Sequence, residues 1–187
     1  MPIIASIIFS IFILTTSSLT NFSVAEEINV QQLQALTQKA NNGDMQAQAD
    51  LASRYHTGDG VTQNTKQAAY WYEKLAENGV AEAQLTLGLI YIKGDGVTPD
   101  DKQALYWLNL AAEQRLASAQ YLLGIAYAEG HGVEIDKIKA YMWYEIAAAM
   151  VNKNAVEART ELAKQMNKED IFKAEQMATE WWMQFHH

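Results

Sequence analysis

The chain has 187 residues, of which 49% are apolar, and it carries a formal net charge of −8. This excess of acidic side chains argues against nucleic-acid binding, because a phosphate backbone requires clustered Lys and Arg. It disfavours adhesion to an anionic membrane surface for the same reason. The chain has no cysteine, which excludes thiol catalysis, thiolate metal sites and disulfides. Two prolines and abundant alanine favour an all-α domain or a short helical repeat array.

Residues 1–25 have the pattern of a signal peptide. They contain no charged side chain, and residues 3–14 form an apolar run of the length of a signal-peptide core. Ser23 and Ala25 place small residues three and one positions before a cut, and acidic residues follow. We therefore expect cleavage near Ala25 and a secreted or periplasmic mature protein. The alternative is an uncleaved membrane anchor, for which the apolar run is short.

Residues 26–43 are predicted to contain an N-terminal capping helix. Leu33, Leu36 and Ala40 have helical spacing within residues 31–41. The positions 36 residues further on fall in the second helix of a repeating unit. We therefore interpret this segment as a lone second-type helix, which a repeat stack needs because an end repeat otherwise exposes its apolar face.

A period of 36 residues organises the chain from residue 44 to residue 151. Three copies, at 44–79, 80–115 and 116–151, place tryptophan, tyrosine, valine and a pair of glycines at the same offsets. The recurring aromatic residues are Trp71, Trp107, Trp143, Tyr55, Tyr91 and Tyr127. A period of this length is typical of stacked helical repeats.

Each copy predicts two helices joined by a glycine-rich turn. In the middle copy the first helix covers residues 81–93, with its recurring small and apolar residues on one side. Gly88 lies in the middle of this helix, where glycine costs about 1 kcal/mol relative to alanine. Its equivalents are Ala52 and Gly124, so the position predicts a close approach of the paired helix. Val97, after the turn, is expected to point back into the core.

The second helix of each copy begins with a capping residue, namely Asn64, Asp100 or Asp136. The side-chain oxygens of these residues can accept hydrogen bonds from first-turn amides, each worth about 1 kcal/mol. The tryptophan follows at helical spacing among small residues. We interpret it as a core wedge between helices rather than a platform for a sugar or a cofactor.

Residues 152–187 depart from the period and are predicted to form a divergent C-terminal capping repeat. Ala155 and Arg159 continue a first-type helix. The glycine-rich turn is replaced by the polar residues 165–170, and a longer closing helix is predicted over residues 171–185.

The pattern of the middle copy resembles the Sel1-like repeat. It reads A-x-A-x-x-x-L-G-x-x-Y-x-x-G-x-G-V, then D-x-x-x-A, a tryptophan and a pair of alanines, between Ala81 and Ala112. The resemblance covers residues 44–151 in three full copies. It implies an α/α superhelix (solenoid) of helix-turn-helix repeats, similar to tetratricopeptide arrays. It also implies a scaffold or adaptor that works through a concave face, usually without catalysis.

Candidate partner-binding residues follow by analogy with tetratricopeptide arrays, in which the first helices line the inner groove. The positions that face away from the paired helix are Glu82, Leu85, Leu89, Ile92, Lys93, Tyr121 and Ile125. If their apolar members are exposed, they suit an amphipathic helix or an extended segment of another protein. The alternative is that they pack on neighbouring second helices.

No constellation of catalytic residues or metal ligands is recognisable in the sequence. His56 and His131 lie near separate turns and do not form a ligand pair. We therefore predict an exported, non-catalytic module that binds a protein or peptide without a cofactor or a metal. Two alternatives remain: a hydrolase-like enzyme acting on envelope material, and a structural oligomer formed through Trp181, Trp182 and Phe185.

Overall fold

The computed structural model describes residues 30–185, and this range contains nine α-helices and no strand. The first helix, α1, covers residues 30–41. The others are α2 (Met45–Thr57), α3 (Thr65–Glu77), α4 (Ala81–Lys93), α5 (Asp101–Glu113), α6 (Ala117–Glu129), α7 (Lys137–Ala149), α8 (Lys153–Ala163) and α9 (Lys168–Phe185). The predicted all-α class is confirmed, and α4 has the expected bounds.

The predicted signal peptide at residues 1–25 lies outside the described residues, as does the start of the predicted capping segment. None of the helices between residues 30 and 185 combines the length and the apolar character that a membrane crossing requires.

The chain divides into two compact units, Met1–Leu51 and Ala52–His187. In the described part of the first unit, Asp44 caps α2 by accepting a hydrogen bond from the amide of Ala47 at 3.0 Å. The Gln48 side chain donates to the carbonyl oxygen of Ala40, also at 3.0 Å, and both residues are buried.

The second unit is a succession of helices in which each packs against the next from α3 to α8, while α9 packs against α7. This order is that of an α/α repeat solenoid, as the sequence predicts. The three recurring tryptophans are buried, with exposed fractions of 4% for Trp71, 8% for Trp107 and 7% for Trp143. Their predicted role as core wedges is confirmed.

The predicted helix caps are present in all three repeats. The side chain of Asn64 accepts from the amide of Gln67 at 3.1 Å, and that of Asp136 accepts from the amide of Lys139 at 3.0 Å. Asp100 accepts from two first-turn amides, at 2.9 and 3.1 Å. These bonds satisfy donors that a helix start otherwise leaves unpaired.

The small residue in the middle of each first helix allows the paired helix to approach closely. A Cβ atom placed on Gly88 would lie 2.9 Å from the side chain of Leu108. One placed on Gly124 would lie 2.3 Å from the ring of Tyr144. Since real Cβ atoms do not approach other atoms this closely, a larger residue would push the two helices apart. Val97, beyond the turn, is half-buried.

A buried glutamine that the sequence interpretation did not single out links successive repeats. Gln84 in α4 donates to the carbonyl oxygen of Ala76 in α3 at 3.1 Å. Gln120 in α6 makes the same bond to Ala112 in α5 at 3.2 Å. The last carbonyl groups of a helix have no partner within the helix. The glutamine at the start of one repeat donates a hydrogen bond to such a carbonyl group at the end of the repeat before it.

The closing segment contains the two predicted helices, but α9 begins at Lys168 rather than at residue 171. The reason is local: the side chain of Asn167 accepts from the amide of Asp170 at 2.8 Å, which makes Asn167 the capping residue. In α8, Arg159 forms an ion pair of 2.6 Å with Glu145 of α7. This contact fixes α8 against the last full repeat.

Candidate partner-binding site

The predicted groove residues differ in how far they are exposed. Glu82 and Lys93 are exposed at the two ends of α4, and Ile92 is 44% exposed. The remaining four are half-buried: Leu85, Leu89, Tyr121 and Ile125. The apolar groove residues are thus partly exposed to solvent and partly packed at helix interfaces. Both predictions for them, binding to a partner and packing on neighbouring helices, therefore apply in part.

An open apolar pocket of about 190 Å³ lies among α4, α5 and α6. Its wall comes from the last two turns of α4, the first half of α5, the second half of α6 and the turn that follows α6. The lining residues are Leu89, Ile92, Asp101, Ala104, Leu105, Leu108, Leu122, Ile125, Ala126 and His131. Only Asp101 and His131 carry an ionisable group. The pocket can therefore bind an apolar group of a ligand.

The pocket unites three of the predicted groove residues, Leu89, Ile92 and Ile125. It leaves out Leu85 and Tyr121, which pack against the core of the second unit. The ring of Tyr121 lies 5.8 Å, centre to centre, from the ring of Tyr144. The predicted interaction surface of repeats two and three therefore has an open part at the pocket and a filled part around these tyrosines.

Leu108 was not among the predicted residues, although it forms part of the pocket wall. The equivalent position is Tyr72 one repeat earlier and Tyr144 one repeat later. Tyr144 is only 5% exposed, and burial raises the pKa of its hydroxyl to about 12. Leucine is shorter than tyrosine, so the middle repeat has a smaller side chain where its neighbours carry a ring. Comparing the three copies for departures from the period is the signal that would have found this residue.

The polar edge of the pocket is acidic. The imidazole Nε2 of His131 lies 2.9 Å from the carboxylate of Glu129. Asp101 is exposed at the first position of α5, where a negative charge also stabilises the helix start. Among the ion pairs of residues 30–185, none gives Asp101 a cationic partner.

Residues 30–185 contain no group of three His, Asp or Glu side chains placed to hold a metal ion. The ring of His56 lies 6.4 Å from the ring of Tyr72, edge to face. Glu161 in α8 pairs with Lys164 at 2.6 Å. These side chains are thus engaged in ordinary local contacts.

The C-terminal aromatic residues pack largely within their own chain. Trp181 is buried, its ring lying 5.7 Å from that of Trp143 and stacking on Phe185 at 4.9 Å. The Trp182 ring carries the guanidinium of Arg115 at 5.4 Å. These aromatic residues therefore pack against α7 and complete the hydrophobic core at that end of the second unit.

Successive helical pairs, glycine-rich turns and an apolar pocket between repeats define a helical-repeat protein of the α/α type. The family model described as Sel1 repeat matches residues 46–80, 81–116 and 117–152. The chain therefore belongs to the Sel1 repeat family, as its repeat pattern indicates. Proteins with these repeats generally mediate protein–protein interactions.

Solved structures of similar proteins agree with this assignment. The crystal structure of a Sel1 repeat protein from Oxalobacter formigenes is 39% identical, covers 70% of this chain and 98% of its own, and has a TM-score of 0.62. A second structure is that of c5321, a protective antigen present in uropathogenic Escherichia coli strains displaying an SLR fold. It is 28% identical, covers 83% of this chain but 41% of its own, and has a TM-score of 0.55. Comparison with curated proteins finds no match.

Proposed function

We propose that this protein is an exported, non-catalytic interaction module that binds a partner protein or peptide through the surface of α4 and α6. The observation that carries the proposal is the open apolar pocket, in which nine residues from three helices and one from the following turn leave space unfilled. Open apolar surface favours association and serves no purpose in keeping a protein soluble. The family's general role in protein–protein interaction supports the same reading.

Binding is tested by capture of partners from the native envelope with chemical crosslinking and mass spectrometry. The double variant Leu89→Asp with Ile125→Asp places two charges at the pocket, so we expect the capture of specific partners to fall by at least about tenfold. A matched control is Phe172→Asp with Met183→Asp in α9, since both side chains are exposed, at 59% and 68%. The control is expected to capture normally.

Helical circular dichroism must show that both double variants remain folded. Undiminished capture by a folded Leu89→Asp, Ile125→Asp protein would show that the partner binds elsewhere.

Export rests on the pattern of residues 1–25 and is tested separately. Expression of the full chain, followed by mass spectrometry of the recovered protein, is expected to give a mature N-terminus near Glu26. Recovery of the intact chain in the membrane fraction would instead establish a retained anchor.

A further inference from the structure

We infer that the pocket among α4, α5 and α6 receives one large apolar side chain from a basic segment of the partner. This inference rests on the proposed function and specifies the chemistry of its ligand.

The size of the pocket sets the size of the anchor. Its volume is about 190 Å³, and an engineered apolar cavity of about 150 Å³ takes up benzene. A phenyl ring or a branched aliphatic side chain therefore fits, whereas a whole helix does not enter. Because the pocket is open to solvent, the backbone of the bound segment stays outside it, near the exposed lining residues Ile92, Asp101 and His131.

The charge around the pocket sets the sign of the flanking residues. Between residues 80 and 136 the chain has eight Asp and Glu residues but only three Lys and Arg residues. Asp101 lines the pocket, and Glu129 lies beside the lining residue His131. A lysine or arginine next to the anchor would meet these carboxylates, while an acidic flank would be repelled.

The repeat pattern itself offers one substitution in the pocket wall. Tyr72 and Tyr144 supply a ring at the position where Leu108 supplies an isobutyl group. Leu108→Tyr therefore enlarges a side chain of the pocket wall, and Gly88 lies against Leu108 as Gly124 lies against Tyr144.

The test is a fluorescence anisotropy titration of the mature protein with labelled synthetic peptides of one length. The probe carries one phenylalanine between two lysines on each side in an otherwise Ser/Gly sequence. One comparison peptide replaces the phenylalanine by alanine, and another replaces the lysines by glutamate. We expect the probe to bind, and each replacement to weaken binding by at least about tenfold. Added salt should weaken the probe because its lysines are screened.

Three protein variants test the site. Leu108→Tyr should weaken binding of the probe as the alanine peptide does. Ile92→Ser, at the exposed rim, should weaken it because it removes an apolar contact without adding a charge. Asp101→Asn should weaken binding a few-fold and reduce its salt dependence. Thermal unfolding of each variant identifies any loss that is due to misfolding, and Ile92→Ser decides if Leu108→Tyr is misfolded.

The inference is overturned if the probe fails to bind at millimolar concentration, or if the alanine or glutamate peptide binds equally well. It is also overturned if folded Leu108→Tyr and Ile92→Ser both retain the probe. Failure here is separable from failure of the proposed function. One distinguishing result is partner capture that is lost in the Leu89→Asp, Ile125→Asp protein but kept in Leu108→Tyr. That result would support the proposed interaction surface and reject only the anchor in the pocket.

Discussion

At the scale of single residues, the pocket wall and the repeat scaffold use different positions. Leu108, in the pocket wall, stands where the adjacent repeats have Tyr72 and Tyr144. Gly88 and Gly124 recur and permit the close packing of each helix pair. A substitution at these glycines is therefore expected to act on stability, and one at an exposed residue of the pocket on binding.

The second glycine of each turn provides a residue-scale prediction. Gly96 has a φ of +83°, and a Cβ atom there would lie 2.4 Å from the carbonyl group of Thr65 at the start of α3. Gly60 has a φ of +70° but would meet only the side chain of Arg54 at 3.2 Å. We expect Gly60→Ala to cost about 1 kcal/mol, the usual strain of this backbone conformation.

In Gly96→Ala the new Cβ atom also collides with the backbone of Thr65. We expect this variant to cost about 3 kcal/mol or more. Urea unfolding of the two variants measures the difference. Equal costs would mean that the turn moves freely away from α3.

A second residue-scale prediction concerns the position after each second helix. It is glycine at residue 79, but Arg115 and Val151 occupy it in the next two repeats with φ values of +67° and +62°. A β-branched residue is strained in this region, and Val151 is 82% exposed, so it gains little from packing. We expect Val151→Gly to raise the free energy of unfolding by about 1 kcal/mol. A decrease on thermal or urea unfolding would show that valine makes a compensating contact.

At the scale of helices, polar contacts join one repeat to the next. In repeat two, the Gln114 side chain donates to the carbonyl oxygen of Gly79 at 2.9 Å and to the side-chain oxygen of Gln84 at 2.8 Å. The side-chain nitrogen and the side-chain oxygen of buried Gln84 thereby each have a hydrogen-bond partner. In repeat three the equivalent of Gln114 is Met150, and the side-chain oxygen of Gln120 has no partner among the described residues.

The element-scale prediction restores this missing donor. Met150 has nearly the same backbone conformation as Gln114, with φ and ψ of −89° and 20° against −81° and 12°. We expect Met150→Gln to donate to Gln120 and to raise the free energy of unfolding by about 1 kcal/mol. Met150→Glu has the same shape without the donor, so it should give no gain. A similar gain from both variants in urea unfolding would rule out the hydrogen bond as the cause.

At the scale of the second unit, α9 acts as the end cap that a repeat stack requires. Trp181, Ala174 and Ala178 are buried in the same cluster as Trp143 of α7. Without them the apolar side of the last full repeat would be open to solvent.

The whole-molecule prediction follows from this arrangement. Trp181→Ala should cost about 3–5 kcal/mol, as large truncations of a buried core do. Because each repeat contacts chiefly its neighbours, hydrogen exchange should accelerate more in α7 to α9 than in α3. Phe172→Ala, at an exposed site of the same helix, serves as the control and should change little. Uniform acceleration along the chain would mean that the unit opens as one cooperative block.

The sequence by itself determined the repeat fold, because the same residue types recur at the same offsets and each has a local physical role. The span of α4 and the caps Asn64, Asp100 and Asp136 were predictable for that reason. It also suggested three of the ten pocket residues, since Leu89, Ile92 and Ile125 lie on first helices at positions that face away from the paired helix.

Only the tertiary structure decided the remainder, because it depends on volumes and contacts between helices that no local pattern encodes. The pocket is formed together by side chains from α4, α5 and α6 and from the turn after α6. The bond from Gln120 to Ala112 and the packing of Gly96 on Thr65 likewise join residues of different repeats. A period shows which positions are equivalent, but the space left at one of them is known only when its neighbours are in place.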